Sequence, residues 1–280
     1  MRELYGRSLK GYQLADLHMH TKGSIDVARR GGMTPGEAVF LARKSGLSAI
    51  AITDHDNIDS SFEGQQYAAA NGLDIQVVTG MEITTKDGHL IGVFLKEGIS
   101  AVVERGDHGV VRRSMKNVIK KIHGQGGLAI VPHPFYKRLD SADRELFNSL
   151  ERSTDPDVYI DGYEVHNMGV VDASSMGGDG YRDSNTFAQE YRRSHKGRLG
   201  AAVGSSDGHR LTVGRGLTAY KGDLYAAIKN QETMAVVLDP EDHGRLLRNA
   251  VDTFGLERVI DNIPKRDRDK VRQFISEIAS

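Results

Sequence analysis

Cysteine and tryptophan are both absent from this sequence of 280 residues. Without cysteine the chain has no thiolate metal ligand, no thiol nucleophile and no disulfide, so histidine, aspartate and glutamate are its only strong metal ligands. A chain without cysteine also fits a reducing compartment. Any metal site in this protein must therefore be built from imidazole and carboxylate groups.

A surplus of one charge and a long hydrophobic run are also missing. Lys and Arg total 37 against 38 Asp and Glu, so the formal net charge is −1 and no overall field attracts nucleic acid or an anionic membrane. No stretch approaches the roughly 18 apolar residues of a membrane helix, and the N-terminal MRELYGRSLKGYQL lacks the apolar core of a signal peptide. We therefore expect a cytoplasmic protein without a membrane partner, in which a local site would hold any anionic substrate.

What the sequence does contain is an alternation of short apolar runs with longer amphipathic stretches. The apolar runs include LADLHM, SAIAIT, DIQVVTGMEI, HLIGVFL, LAIVPH, YIDGYEV and LGAAVG. This alternation predicts an α/β fold of repeated βα units around parallel strands. The clearest helix start is TPGE, where Thr34 can cap the helix and Glu37 completes a capping box, and Gly46 would end this helix.

The sequence changes character after about residue 233. PEDHGRLLRNAVDTFGLERVI and KRDRDKVRQFISEIAS both have helical periodicity, with no strand between them. We therefore predict a barrel domain over residues 1–233 and a C-terminal helical extension over residues 234–280 that packs on the barrel.

Most residues with metal-ligand side chains follow directly after a predicted strand. These strand-end residues are His18, His20, His55, Glu82, His133, Glu164, His166, Asp207 and His209. The ends of parallel barrel strands meet at one face, which is where the active sites of such barrels lie. Because strand side chains alternate, His18 and His20 would point to the same side, as two ligands of one ion do. A lone pair of this kind also occurs as hydrogen-bonded polar residues, so it is the ordered set that favours a metal centre.

The same motifs carry a family resemblance. In chain order, DLHMHTKGSID, AITDHDNI, TGMEI, GHLIGVFL, IVPHP, YEVHN and GSSDGH resemble the motifs of the PHP domain family, named for polymerase and histidinol phosphatase. The resemblance runs from about residue 14 to about residue 230. It implies a distorted (β/α)7 TIM-like barrel whose mouth holds a metal centre that hydrolyses phosphoesters.

The resemblance also implies a set of metal ligands for two or three divalent ions. The first ion would be held by His18, His20, Glu82 and Asp207. Glu82 would bridge to a second ion completed by His89 and His133. The third ion would be held by Asp26, His55 and His209. Imidazole and carboxylate ligands suit Zn, Mn or Fe. The family pattern has glycine after the aspartate, whereas Val27 follows Asp26 here, which leaves the third ion open.

The expected reaction is hydrolysis of a phosphomonoester or phosphodiester. A metal-bound hydroxide would attack phosphorus directly, so that no protein nucleophile is needed. Glu82 and Asp207 would tune that water through their charge, and Asp54 or His209 would assist proton transfer. Alternatively, Asp54 orients a neighbouring ligand.

Basic residues near the predicted mouth are candidates for holding the phosphate oxygens, since arginine and lysine suit that role. We favour Arg215 and Lys22. The other candidates are Arg210, Lys137 and Arg138, and each of the five could instead be a solvated loop charge.

Two further residues and two loops complete the predicted substrate site. Asn167 is expected to form a hydrogen bond near the substrate, and His166 either contacts the substrate or is a polar residue of the rim. Specificity should depend on the loops at residues 96–114 and 168–184, because barrel enzymes vary mainly in their loops.

Two other functions compete with a small-molecule phosphoesterase. A nuclease acting on short or single-stranded nucleic acid also occurs in this family, but such proteins usually combine cationic tracks with aromatic stacking. A non-catalytic metal-binding regulatory module would be expected to lack ligands, whereas every ligand position is filled here. A small phosphorylated molecule is therefore the favoured substrate, and the sequence leaves its identity and the oligomeric state open.

Overall fold

The computed structural model describes residues 2–3, 9–28, 31–106, 109–136, 141–170, 182–195, 200–211, 213–238, 240–262 and 268–279. The strands are β1 (Arg2–Glu3), β2 (Gln13–Asp16), β3 (Ala49–Ile52), β4 (Gln76–Thr85), β5 (Gly88–Val93), β6 (Val102–Gly106), β7 (Gly109–Arg112), β8 (Leu128–Val131), β9 (Gly162–Asn167), β10 (Ala201–Ser205), β11 (Gly216–Tyr220) and β12 (Met234–Val237). The helices are α1 (Ile25–Ala28), α2 (Pro35–Lys44), α3 (Asp59–Ala70), α4 (Met115–Gly124), α5 (Arg144–Glu151), α6 (Arg182–Ser194), α7 (Leu224–Lys229), α8 (Pro240–Phe254), α9 (Leu256–Asp261) and α10 (Arg268–Ala279).

One sheet of mixed direction forms a nearly closed barrel, which confirms the predicted α/β, TIM-like class. Its strand order is β1-β12-β11-β2-β3-β4-β5-β8-β9-β10, and β6 and β7 form a separate hairpin. The edge strand β10 approaches the opposite side of the sheet where Thr218 of β11 donates a hydrogen bond to the Gly204 carbonyl of β10 (2.9 Å). A Cβ on Gly204 would lie 2.3 Å from the Leu217 carbonyl oxygen, so only glycine allows this approach.

The expectation of uniformly parallel strands is wrong at β5, β11 and β12. Strand β5 is antiparallel to both β4 and β8, and β11 is antiparallel to both β2 and β12. Only a tight turn at Lys86 and Asp87 separates β4 from β5. A connection this short can join only antiparallel strands, because a parallel pair needs a long crossover.

The sheet also continues past the boundary predicted at residue 233. Strand β12 pairs with β11 and β1, and the helices of the extension begin only at Pro240. A four-residue strand is too short to show a clear periodicity, which is why the sequence did not indicate it. The extension contains three described helices rather than two, because Gly255, with a φ of 81°, separates α8 from α9.

The predicted start of α2 is confirmed. The Glu37 backbone N–H donates to Thr34 Oγ1 (3.2 Å), and the Thr34 N–H donates to Glu37 Oε2 (2.8 Å). These two bonds satisfy helix-end N–H groups that would otherwise lack partners. The helix ends with Ser45 as its cap, directly before Gly46.

The parallel strands are buried on both faces. Alternate residues of β3 belong to different apolar clusters: Ala49 and Ala51 pack with residues such as Ile130, while Ile50 and Ile52 pack with residues such as Val39 of α2. This two-sided burial explains why the strand sequences are largely apolar. No helix in the described ranges is both long and apolar enough to span a bilayer.

Candidate metal centre

Glu82 of β4 is buried, and its Oε2 atom is surrounded by imidazole nitrogens. This oxygen lies 3.1 Å from His18 Nε2 and 3.1 Å from His20 Nε2. It also lies 3.3 Å from His55 Nδ1, because an isolated parallel bridge places the backbone of His55 beside that of Glu82. His18, His20 and Glu82 have ligand atoms close enough together to hold one ion.

The second carboxylate oxygen of Glu82 faces two different histidines. Oε1 lies 2.8 Å from His89 Nδ1 and 3.1 Å from His133 Nε2. His89 reaches this position because it pairs with Thr84 across the β4–β5 hairpin. The two oxygens of one carboxylate therefore contact separate sets of nitrogens, as a carboxylate that bridges two ions must do.

Asp207 adds a second carboxylate to the cluster. Its Oδ1 atom lies 3.5 Å from His18 Nε2 and 3.4 Å from His20 Nε2. The Asp207 N–H donates to the His18 carbonyl (2.9 Å), which ties the end of β10 to the segment after β2. Asp207 and His133 have positive φ angles of 46° and 29°, a conformation that non-glycine residues adopt rarely and that concentrates at functional sites.

Asp26 and His209 form the outer part of the cluster. Asp26 Oδ2 lies 2.9 Å from His209 Nε2. The ring of His20 stacks on that of His55 (4.5 Å) and makes a tilted contact with that of His209 (4.3 Å). Asp26 Oδ1 is buried and has no hydrogen-bond partner among the described residues. An orphaned buried carboxylate oxygen is unfavourable unless a cation or water satisfies it. Val27, which stands where the family has glycine, leaves Asp26 within reach of His209.

The donor set fits the divalent ions that the family implies. Besides the group around His18, the ligand atoms of His20, His55 and His209, and those of His55, Glu82 and His89, lie close enough together to hold an ion. All donors are imidazole nitrogens or carboxylate oxygens, which suit Zn, Mn or Fe. The predicted ligands lie in one cluster, but these groups differ from the predicted sets: His20 rather than Asp26 accompanies His55 and His209, and His55 rather than His133 accompanies Glu82 and His89. Their roles as ligands remain predictions.

The charges in the cluster stabilise one another. Burial would raise the pKa of Glu82 and of Asp207, but the histidines, His18 foremost, hold both values well below the usual range. Burial likewise opposes protonation of His18 and His20, but the neighbouring carboxylates outweigh that effect. The pKa of His18 is therefore well above its usual value, and the pKa of His20 is about 9. Burial lowers the pKa of His55 to about 4.

Metal binding should therefore release protons. The pKa of His18 is raised well above its usual value and that of His20 to about 9, so these rings hold a proton more firmly than a free histidine does, whereas a metal ion binds the neutral ring. We expect proton release on binding Mn²⁺ near pH 7, and the affinity to rise as the pH rises toward the pKa of His20. Titration calorimetry in buffers of different ionisation enthalpy measures this release, and a binding heat independent of the buffer would contradict it.

Glu164 is a residue of the site to which the sequence assigned no role. Its fully buried carboxylate accepts hydrogen bonds from His18 Nδ1 (2.9 Å) and from the His133 backbone N–H (2.6 Å). It also accepts from Asn167 Nδ2 (2.6 Å) and from the Ser205 hydroxyl. A carboxylate that holds the far nitrogen of a ligand histidine fixes the orientation of the ring and increases its basicity.

Asn167 contacts the cluster directly, whereas the described side-chain contacts of Asp54 and His166 are with other residues. Asn167 Nδ2 donates to Asp207 Oδ2 (3.2 Å). The Asp54 carboxylate accepts hydrogen bonds from the backbone N–H and the hydroxyl of Thr21, both at 2.5 Å, so it holds the loop after His20. The described contact of the His166 side chain is with Met168 Sδ (3.2 Å).

The candidate phosphate-binding residues have different environments. Lys22 is exposed in the loop after His20, and Arg215 is partly buried just before β11. Arg210 instead donates to the backbone carbonyl of Asn262 in the extension. Lys137 and Arg138 lie outside the described residues, as does most of the predicted loop at 168–184, while the loop at 96–114 contains the β6–β7 hairpin.

Comparisons with known proteins identify the family of this chain. The PHP domain family model matches residues 16–209, more than half of the chain. An uncharacterized protein from Methanocaldococcus jannaschii is 33% identical over 160 residues, which are 55% of this chain and 81% of that protein. A 5'-3' exoribonuclease from Haemophilus influenzae is 34% identical over 82 residues, which are 28% of this chain and only 27% of the enzyme.

Solved structures resemble the fold. A two-domain protein from Bacteroides vulgatus that contains a predicted PHP-like metal-dependent phosphoesterase has a TM-score of 0.55 at 21% identity. The match covers 88% of this chain and 72% of that chain. At this level of identity the likeness concerns the fold.

Proposed function

Because the chain belongs to the PHP domain family, we propose that it is a metal-dependent hydrolase of phosphomonoesters or phosphodiesters. The observation that carries this proposal is Glu82, whose two carboxylate oxygens face two separate sets of histidine nitrogens. A small phosphorylated molecule is the proposed substrate, since the net charge of −1 provides no general attraction for a polyanion.

The residues of the cluster have separate proposed roles. When bound, two or three divalent ions make a water molecule acidic enough to attack phosphorus at neutral pH and offset the charge of the leaving oxygen. Glu82 and Asp207 supply buried negative charge that retains cations in the site. His209 is 30% exposed and its Nε2 atom faces Asp26, so its proposed role is to hold the third ion with Asp26 at the solvent side of the cluster.

A nuclease is the second candidate, supported by the similarity of 82 residues to a 5'-3' exoribonuclease. This similarity covers less than a third of either chain, so it supports the shared metal chemistry more than a shared substrate. A metal-binding module without turnover is the third candidate. A single substrate screen distinguishes both alternatives from the proposed phosphoesterase.

The test of the proposed function uses the full chain, stripped of metal and reconstituted with Mn²⁺, Zn²⁺ or Fe²⁺. Phosphomonoesters, phosphodiesters and short oligoribonucleotides are each supplied as substrate, with Glu82→Gln as the inactive control. We expect metal-dependent release of phosphate from a small ester, with one oxygen from labelled water in the product of a single turnover. Cleavage of oligoribonucleotides alone would indicate a nuclease, and full metal occupancy without any hydrolysis would contradict an enzyme. A trapped phospho-enzyme would exclude direct attack by water.

Removing the favoured phosphate-binding residues should weaken catalysis moderately. Lys22→Ala and Arg215→Ala are each expected to lower kcat/KM roughly 10- to 100-fold, since a hydrogen bond to a charged group contributes about 1.5–3 kcal/mol. Lys121→Ala, which removes an exposed lysine of α4, is the matched control. An unchanged kcat/KM for either variant would remove that residue from the proposed substrate site.

A further inference from the structure

Helix α9 of the C-terminal extension is linked to the segment that carries His209. Arg210 follows His209 directly, and its guanidinium donates to the backbone carbonyl of Asn262. Asn262 caps the C-terminus of α9, where unpaired carbonyls carry partial negative charge and favour a cation. The residue after His209 is therefore anchored to the extension, which lies beyond the segment matched by the family model.

The same helix is also linked to the start of α2. Arg258 of α9 forms a two-pronged ion pair with Glu37, with NH1 2.6 Å from Oε1 and NH2 3.0 Å from Oε2. The Arg258 guanidinium lowers the pKa of Glu37 to about 2. Glu37 Oε2 in turn accepts the backbone N–H of Thr34 (2.8 Å), so this ion pair also fixes the loop before α2.

That loop lies against the segment that carries Asp26. A Cβ on Gly32 would lie 2.2 Å from Val27 Cγ1 and 3.6 Å from the His209 carbonyl oxygen, so Gly32 sits between the two. The Lys22 N–H donates to the Met33 carbonyl (2.8 Å), which ties the loop to the residues before Asp26. Arg258 and Arg210 thus hold the neighbours of both members of the Asp26–His209 pair.

We propose that α9 is a positioning element for the Asp26–His209 part of the metal centre, acting through Arg210 and Arg258, a role that rests on the proposed metal centre. The Asp26–His209 pair is the most exposed part of the cluster, at 31% and 30% exposure, whereas the Glu82 carboxylate is 1% exposed. The outer pair has less packing around it and depends more on these two arginines. Loosening α9 should therefore release the third ion selectively and leave the two ions at Glu82 in place.

The test counts Mn²⁺ bound to the full chain, with no substrate present, in Arg210→Met and Arg258→Met. Methionine keeps an unbranched aliphatic stem and removes the charge and the hydrogen-bond donors of the guanidinium. Arg272→Met is the matched control, because the described ion pair of Arg272 is with the exposed Glu257 of the extension. Arg210→Lys retains a cationic donor and should restore binding. Thermal unfolding followed by circular dichroism verifies that each variant is folded.

We expect three Mn²⁺ per chain in the wild type and the control. At concentrations that saturate the wild type we expect two in Arg210→Met, with the third bound about 10- to 100-fold more weakly, the range for residues that orient metal ligands. Arg258→Met should show the same selective loss through an independent contact. Unchanged binding of the third ion in both folded variants, loss of all three ions together, or a wild type that binds fewer than three would overturn the role of α9. A wild type that binds three ions and hydrolyses no ester would instead defeat the proposed function alone.

Discussion

Glu82→Gln is expected to lower kcat/KM for phosphoester hydrolysis by more than about 100-fold, beyond the range for residues that only orient metal ligands. Glutamine keeps the shape of the side chain but removes the negative charge that His18 and His20 face at 3.1 Å. Glutamine has a single side-chain oxygen, so the variant would also lose the pair of carboxylate oxygens that contact the two sets of histidines. The two ions at the centre of the site should therefore bind much more weakly.

The experiment measures kcat/KM and metal content across a range of Mn²⁺ concentrations. Glu63→Gln is the matched control, because Glu63 is exposed on α3. Excess Mn²⁺ should restore little activity, since one of the shared ligands is missing. A Glu82→Gln variant that binds a full complement of ions and stays within tenfold of the wild type would show that Glu82 does not bridge the ions.

Glu164→Gln is expected to weaken Mn²⁺ binding and kcat/KM by roughly 10- to 100-fold, a smaller effect than that of Glu82→Gln. Glu164 contacts the cluster through His18 Nδ1 and the His133 backbone rather than through the atoms that face Glu82. Burial opposes the charge on Glu164, but His18 outweighs that effect and lowers the pKa of the carboxyl. A neutral amide at this position would accept fewer hydrogen bonds and hold both histidines less firmly.

Binding isotherms for Mn²⁺ separate this indirect role from direct ligation. A loss of Mn²⁺ affinity with unchanged stoichiometry would indicate that Glu164 orients ligands. The loss of an entire ion would identify Glu164 as a direct ligand, and unchanged affinity and activity would remove it from the site. Glu63→Gln is again the control.

Features that depend only on residues close together in the sequence were predictable. The capping box of Thr34 and Glu37 needs only a spacing of three residues, and the structure contains both of its hydrogen bonds. The strand ends were also predictable, because a polar side chain after an apolar run marks the point where a buried strand reaches the surface. The ligands around Glu82 follow from this rule and from the family motifs.

Roles that depend on distant pairing were not predictable in the same way. Glu164 lies inside β9, and its role is visible only because His18, 146 residues earlier, lies beside it. Asp54 is adjacent to His55, yet its carboxylate turns to Thr21. In both cases the sequence indicates the strand that places the backbone of the residue. Tertiary packing decides which partner its side chain contacts.

The antiparallel strands and β12 have a similar explanation. The apolar runs of β4 and β5 indicate strands but carry no information about direction, which is determined by the short turn between them. Strand β12 is only four residues long and is stabilised by pairing with β1 and β11. Its existence therefore depends on the rest of the sheet rather than on a local pattern.

The most direct test of the metal centre is anomalous diffraction from crystals of the full chain grown with Mn²⁺ and inorganic phosphate. We predict one Mn²⁺ at each carboxylate oxygen of Glu82, one shared with His18 and His20 and the other with His89 and His133, with phosphate bound to both ions. Mn²⁺ peaks located elsewhere, with both Glu82 oxygens free of metal, would contradict the account.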